Sequence, residues 1–306
     1  MSTILITGGT GLLGHRLSTL LAAKGHTVNL LSRTNKPVQP YSHVFVWDVE
    51  AQTMDDAALT NCDYIIHLAG SGIADKPWTI ARKKDIIDSR VNSANLLYNK
   101  LKNVPNTVKG VVSASAIGYY GMVTIPGKEF VETDPAGDDF LGQCCLLWED
   151  AVKQIESLTI RTVQVRIGIV LSTQGGALQK IAGLAKFGPA AAVGTGKQAM
   201  PWVHIDDLCN IFIKAIEEDK MHGAYNATAP ANDDSTTFTQ AVAKQIHRPM
   251  LPFPAPAFAI RLMYGEMSQV VLEGTHASPK KIMDAGFQFQ YTNLAEALKD
   301  LYDKNI

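Results

Sequence analysis

The segment Thr7–Gly14 reads TGGTGLLG, with Gly8, Gly11 and Gly14 three residues apart. That spacing suits a backbone grip on a diphosphate. Gly8 permits a tight turn, Gly11 lets the main chain approach a pyrophosphate, and Gly14 lets a helix pack close to a strand. Unpaired N–H groups at the start of a helix attract phosphate charge, and Thr10, Leu12 and Leu13 complete the turn. A glycine-rich turn without a ligand is the alternative. The context weighs against it: the apolar run TILIT precedes the turn, and Leu17, Leu20 and Leu21 recur at helical spacing after it.

A second position chooses between dinucleotides. A carboxylate at the end of the second strand would hold the ribose hydroxyls of NAD. This chain has LLSRTNK there, so Ser32 and Arg33 offer a hydroxyl and a guanidinium. These suit a 2′-phosphate and point to NADP(H). Otherwise Arg33 is a solvated surface arginine. Asp48, in VFVWDVE, is placed to touch an adenine amino group. Leu68, Ala69 and Gly70, in HLAG, bring backbone past the adenosine ribose and the pyrophosphate. Arg90 either reaches the cofactor phosphates or lies on a helix surface. Arg166, in TVQVRI, joins the same cofactor set.

These groups need a frame to hold them. Short apolar runs alternate with amphipathic stretches, the signature of a doubly wound parallel α/β sheet of Rossmann-like type. The expected strands are 3–7, 27–31, 44–47, 64–68, 110–113 and 162–167. Helices are expected in LSTLLAAKG, in IARKKDIIDSRVNSANLLYNKLK and in CLLWEDAVKQIESL. After Val170 the alternation stops. A glycine-rich stretch precedes a helix at about 205–218 and a strand, AYNAT. A helix, FTQAVAKQIH, and the proline-rich PMLPFPAPAF come next, and two short helices close the chain. The expected division is a dinucleotide-binding domain, 1–170 and 200–228, with a small C-terminal cap or substrate subdomain, 171–199 and 229–306.

Composition narrows the function classes. Hydrophobic residues make up 46% and charged residues 19%, as in a globular protein with a large core. The net charge of −1 gives no nucleic-acid footprint. No signal peptide and no run of roughly 18 apolar residues is present, so membrane association is not expected and the expected setting is a reducing cytoplasm. Cys62, Cys144, Cys145 and Cys209 show neither zinc spacing nor a bridgeable pairing, so no metal is expected. The expected partners are an unknown small-molecule substrate and at most a second copy, as monomer or homodimer.

Taken together, TGGTGLLG, HLAG, SASAIGYYG and PWVHIDDL resemble the extended short-chain dehydrogenase/reductases. GSGIADKPWT, DSRVNSANLL, CLLWE and HASPKKIMDAGFQF resemble, more closely, the atypical epimerase-like branch. The resemblance spans essentially the whole chain. It implies a Rossmann-like domain, NADP(H) binding and a C-terminal substrate-side subdomain.

In that family a Tyr-x-x-x-Lys pair works with a serine on the preceding strand, the lysine lowering the tyrosine pKa. Ser115 matches the serine, or is a strand-end serine bonded to backbone. In the family a glutamate commonly lies four residues after the lysine, and Glu149 matches it. Counting back places Cys145 at the lysine and Leu141 at the tyrosine. Tyr98 and Lys102 form a Tyr-x-x-x-Lys spacing, but precede the Ser115 strand in the wrong order. Tyr119 is the substitute proton donor, or an aromatic wall. Trp78, Tyr120, Trp202 and His204 are expected around a substrate pocket; His204 is either a base or a structural histidine bonded to Asp206 or Asp207. Cys145 is expected to fill space, since nothing beside it generates a thiolate. The expected activity is an epimerase-like NADP(H) oxidoreductase for a small carbonyl or hydroxyl compound. The alternative is a non-catalytic NADP(H)-binding sensor or interaction protein.

Overall fold

The computed structural model describes residues 1–186 and 188–304. The first half runs β1 (Thr3–Thr7), α1 (Leu12–Ala23), β2 (Thr27–Ser32), β3 (Val44–Asp48), β4 (Thr53–Met54), β5 (Tyr64–His67), α2 (Ile80–Asn103) and β6 (Gly110–Ala116). The second half runs α3 (Phe140–Lys153), β7 (Arg161–Ile167), β8 (Ile169–Leu171), α4 (Gly176–Lys186), β9 (Trp202–His204), α5 (Ile205–Glu217), β10 (Gly223–Ala227), α6 (Ser235–Gln245), α7 (Ala257–Tyr264), α8 (Gln269–Leu272), α9 (Lys280–Asp284) and α10 (Leu294–Lys304).

Eight strands form one sheet in the order β10-β7-β6-β5-β1-β2-β3-β4. Every pairing is parallel except β3 with β4. Pleating sends successive side chains to opposite faces. Ile4 and Ile6 share a core with Leu17 and Leu21 of α1 and Leu208 and Phe212 of α5. Leu5, between them, faces Leu96, Leu97 and Leu101 of α2. Strands buried on both faces read as continuous apolar runs, which is why the sequence marks them.

The order of connection reverses between β1 and β5. Carboxyl ends of strands at such a switch point frame a crevice. Thr7 and His67 end these two strands opposite each other.

Two regions differ from the sequence expectation. The glycine-rich 171–199 stretch holds α4 with Leu178 and Ala182 buried four residues apart, and Ile169–Leu171 pairs with Trp202–His204 as a separate two-stranded sheet. The proline-rich stretch gives way directly to α7, with Pro256 as its N-cap. A proline stops a helix that runs into it and starts one that follows it. Among the described residues, no helix is long and apolar enough to cross a membrane.

Candidate dinucleotide and substrate site

Beyond Thr7 the chain turns at Gly8, where φ is +68°. A Cβ there would lie 2.8 Å from the Leu68 carbonyl carbon, and one on Gly14 would lie 2.5 Å from Gly9 Cα. Both contacts are with backbone, so neither yields by rotating a side chain. Gly11 is exposed and donates to the Gly8 carbonyl at 3.1 Å. It is the N-cap of α1 and offers no side-chain cap, whereas Thr79, Asp139 and Asp234 cap α2, α3 and α6. The first-turn N–H groups of α1 therefore have no side-chain cap, and exposed Thr10 and Gly11 lie beside them.

Tyr41 locks the loop from behind. Its hydroxyl donates to the Gly9 carbonyl at 2.6 Å, and a Cβ on Gly9 would meet that hydroxyl at 2.2 Å. No spacing in the sequence marks this residue. It lies in the loop after β2, between two prolines and β3.

The floor of the crevice is a chain of hydroxyl–imidazole bonds. Thr7 Oγ1 accepts from the N–H groups of Leu68 and Ala69 and donates its one proton to His67 Nδ1 at 2.8 Å. His67 Nε2–H then faces Ser93 Oγ at 3.2 Å, whose own proton goes to the Ser89 carbonyl. Full burial, helped by the Arg90 charge, lowers the His67 pKa to about 3 and keeps the ring neutral. The HLAG turn is thus fixed to the glycine loop.

Around this core, Ser32 is half-buried and Arg33 exposed, and Arg33 pairs with no carboxylate among the described residues. Asp48 is exposed, and its Oδ1 already accepts from the N–H groups of Glu50 and Ala51, both at 2.9 Å. That oxygen closes a turn. Arg90 packs against Gly70, where a Cβ would lie 3.1 Å from Arg90 Cζ. Its Nη1 donates to the Ile86 carbonyl, and the guanidinium lies 5.0 Å from the Trp148 ring centre.

Past Arg90 the crevice opens into a cavity of about 210 Å³. The carboxyl end of β6 contributes Ala116, Ile117 and Gly118, and α3 contributes Leu141, Cys144, Cys145 and Trp148. Gly168, Met200, Pro201 and Thr275 close it from the C-terminal part of the chain. Cys144 and Cys145 are free thiols whose pKa values burial raises; for Cys144 this outweighs the opposing pull of Arg90.

Several expected site residues lie outside this lining. Ser115 is 3% exposed and donates to Glu149 Oε1 at 2.6 Å. Arg166 is not at the crevice. It is buried, donating from Nε and Nη2 to the two Glu149 oxygens at 2.9 and 2.8 Å, and from Nη1 to Tyr120 Oη at 3.0 Å. Tyr120 in turn donates to Asn226 Oδ1 at 2.7 Å, and burial pushes its pKa up to about 12. The Tyr119 ring lies 3.4 Å under the Arg166 guanidinium, which occupies its face. Trp202 is buried and donates to Asp233 at 2.7 Å. His204 is fully buried and caps α5 by accepting from the Asp206 N–H, the structural role left open above. Trp78 donates to the Ile73 carbonyl at 2.8 Å and stands edge-on to Phe140, one residue removed from the lining. Tyr120 and Trp202 are held by partners that sequence separation conceals. The cavity walls instead come from apolar residues such as Leu141 and Met200, which a search for reactive side chains passes over.

Residues 4–140 match the family described as the NAD dependent epimerase/dehydratase family, and residues 255–301 match a domain of unknown function, DUF1731. The epimerase family protein YfhF of Bacillus subtilis is 34% identical over 299 residues, covering 97% of each chain. A second relative, Mb2239 of Mycobacterium bovis, is 33% identical over 298 residues, covering 97% of this chain and 96% of its own. Among solved structures, the human epimerase family protein SDR39U1, isoform 2, crystallised with NADPH, superposes with a TM-score of 0.89 at 30% identity, covering 98% of this chain and 99% of that one. A nucleoside-diphosphate sugar epimerase of Corynebacterium glutamicum superposes with a TM-score of 0.78 at 27% identity, over 97% of this chain and 57% of that one. With the glycine loop, the HLAG turn and the β6–α3 arrangement in place, the chain belongs to the NAD dependent epimerase/dehydratase family, in the atypical extended short-chain dehydrogenase/reductase branch that its motifs resemble.

Proposed function

We propose that the chain binds NADP(H) along the carboxyl edge of the sheet and acts as an epimerase-like oxidoreductase on a small carbonyl or hydroxyl compound held in the cavity. The observation that carries this reading is the cradle at Gly8, Gly9 and Gly14. Backbone or a buried hydroxyl fills the space of each missing Cβ, while Gly11 and the uncapped start of α1 stay open. The residues fit a dinucleotide diphosphate at the α1 N-terminus, with Arg33 free to receive a 2′-phosphate. The NADPH in the human relative's crystal supports the same choice. When bound, such a cofactor supplies reversible two-electron redox chemistry.

The chain's own residues would hold the cofactor and exclude water. Leu141 and Cys145 stand in the proposed tyrosine and lysine positions on the cavity wall, and Ser115 is committed to Glu149. A proton would therefore come from water or from the substrate itself. The same arrangement favours a second reading, a dinucleotide-binding sensor without turnover. A nucleotide sugar is disfavoured, because its hydroxyls would find few partners among these apolar walls.

Calorimetric titration with NADPH and NADH tests the binding step. Saturable NADPH binding, tighter than NADH, is expected, and indifference to both removes the proposal. NADPH oxidation by a panel of aldehydes and ketones separates the two readings: turnover supports the enzyme, and tight binding without turnover supports the sensor.

A further inference from the structure

The cavity wall is hydrocarbon over Ile73, Ile117, Leu141, Ile169 and Met200, interrupted by one guanidinium. Arg90 pairs with no carboxylate among the described residues and spends one N–H on the Ile86 carbonyl. Burial lowers its pKa, but an arginine stays charged at any physiological pH. The one carboxylate in the lining, Glu273, accepts from Thr124 Oγ1 at 2.8 Å in an exposed hydrogen bond. The lining therefore holds one guanidinium and one carboxylate, and the carboxylate is engaged in a solvent-exposed bond. Beside Arg90, Cys144 and Cys145 stay protonated and carry no charge to balance it.

We propose that this cavity binds an apolar monocarboxylate, its carboxylate on Arg90 and its hydrocarbon or aromatic body against the Ile and Met wall. The assignment rests on the oxidoreductase reading and names the substrate class for that site. Arg90 is half-buried, and a partly desolvated cation without a counter-charge is costly unless a ligand supplies one. Arg's planar fork matches a carboxylate's two oxygens. Trp148 and both cysteines, its neighbours, are cavity walls, and on its other side it packs against Gly70 of the HLAG turn.

The test uses the full chain and two probes of similar shape, naphthalene-2-carboxylate and 2-naphthylmethanol, titrated calorimetrically with and without saturating NADPH. The carboxylate should bind about tenfold or more tightly than the alcohol, the typical gain of a charged hydrogen bond. Arg90→Met should erase that preference and leave NADPH affinity at the wild-type level. Equal affinity for the two probes overturns the proposal. So does an Arg90→Met protein that loses NADPH and keeps its preference for the carboxylate, because Arg90 then serves the cofactor phosphates. Should Arg90→Met fail to fold, the wild-type preference decides, together with Met200→Trp. That variant should block the carboxylate and spare NADPH, and retained carboxylate binding refutes the location. Carboxylate binding in a wild-type protein indifferent to NADPH would sink the dinucleotide reading and leave the cavity assignment standing.

Discussion

Two arginines of this molecule, one buried and one half-buried, sit under opposite conditions. Arg166 is 3% exposed, with both Glu149 oxygens, the Tyr120 hydroxyl and the Glu132 carbonyl as acceptors and the Tyr119 ring beneath it. Arg90 has a backbone carbonyl, the Trp148 face and a cavity. A buried charge whose acceptors are all internal holds the fold, and has little left to offer a ligand. One that lacks a counter-charge faces wherever the counter-charge arrives. Sequence position alone does not separate them.

Removing Glu149 should have the largest effect. Glu149→Ala leaves the Arg166 guanidinium buried and uncompensated and takes the acceptor from Ser115, a loss of about 3–5 kcal/mol in unfolding free energy. Urea denaturation followed by circular dichroism measures it. Arg90→Met in the same assay should cost far less, because no internal ion pair breaks. Equal losses would erase the distinction between the two arginines.

A third way to bury a base is to discharge it. His67 is neutral with its pKa lowered to about 3, and His204 is lowered to about 4, chiefly by burial in both cases. Each titrates near 6.5 when unfolded. Below that value the unfolded chain binds the proton that the folded chain refuses, so stability falls with falling pH. The contribution is complete above about pH 6.5 and declines by roughly 1.4 kcal/mol per unit per histidine toward the folded pKa. Denaturation midpoints measured from pH 7 to pH 4 should fall for the wild type and more gently for His67→Gln. An unchanged slope in the variant would mean that the ring is already charged in the fold.

The sheet was legible because strands buried on both faces leave uninterrupted apolar runs: TILIT is β1 without adjustment. The glycine turn was legible for a similar reason, since Gly8 and Gly14 answer local backbone contacts that few other residues satisfy. The site beyond the turn was harder to read. Ser115 meets Glu149 across 34 residues and Tyr120 meets Asn226 across 106, and the pairing exists only once the sheet has formed. Tyr41 behind Gly9 follows the same rule, as does α4, whose leading glycines disguise a helix with an apolar stripe.

Arg33 extends the comparison to the surface. It is exposed and has no carboxylate partner among the described residues, so its removal should cost the fold almost nothing while costing a phosphorylated ligand a charged contact. Arg33→Ala should weaken NADPH by roughly tenfold to a hundredfold, the range of one or two charged hydrogen bonds, and NADH little. Equal weakening of the two cofactors would show that the residue does not read the 2′-phosphate.

The smallest effect is expected at Cys145, and it bears directly on Arg90. A cation near a thiol favours the thiolate, and burial opposes it. At Cys145 burial is the largest influence, followed by the neighbouring Cys144 thiol and Glu149 carboxylate, all raising the pKa against the pull of Arg90. The Arg90 charge is therefore not spent on activating a thiol and stays available to the cavity. Cys145→Ala removes one buried sulfur and should cost about 1 kcal/mol in stability, with NADPH binding unchanged. Iodoacetamide labelling of the native protein at pH 8 should be slow at Cys144 and Cys145 alike. Rapid labelling, or a large loss of any turnover in Cys145→Ala, would mean that the guanidinium has a nucleophile rather than a ligand as its partner.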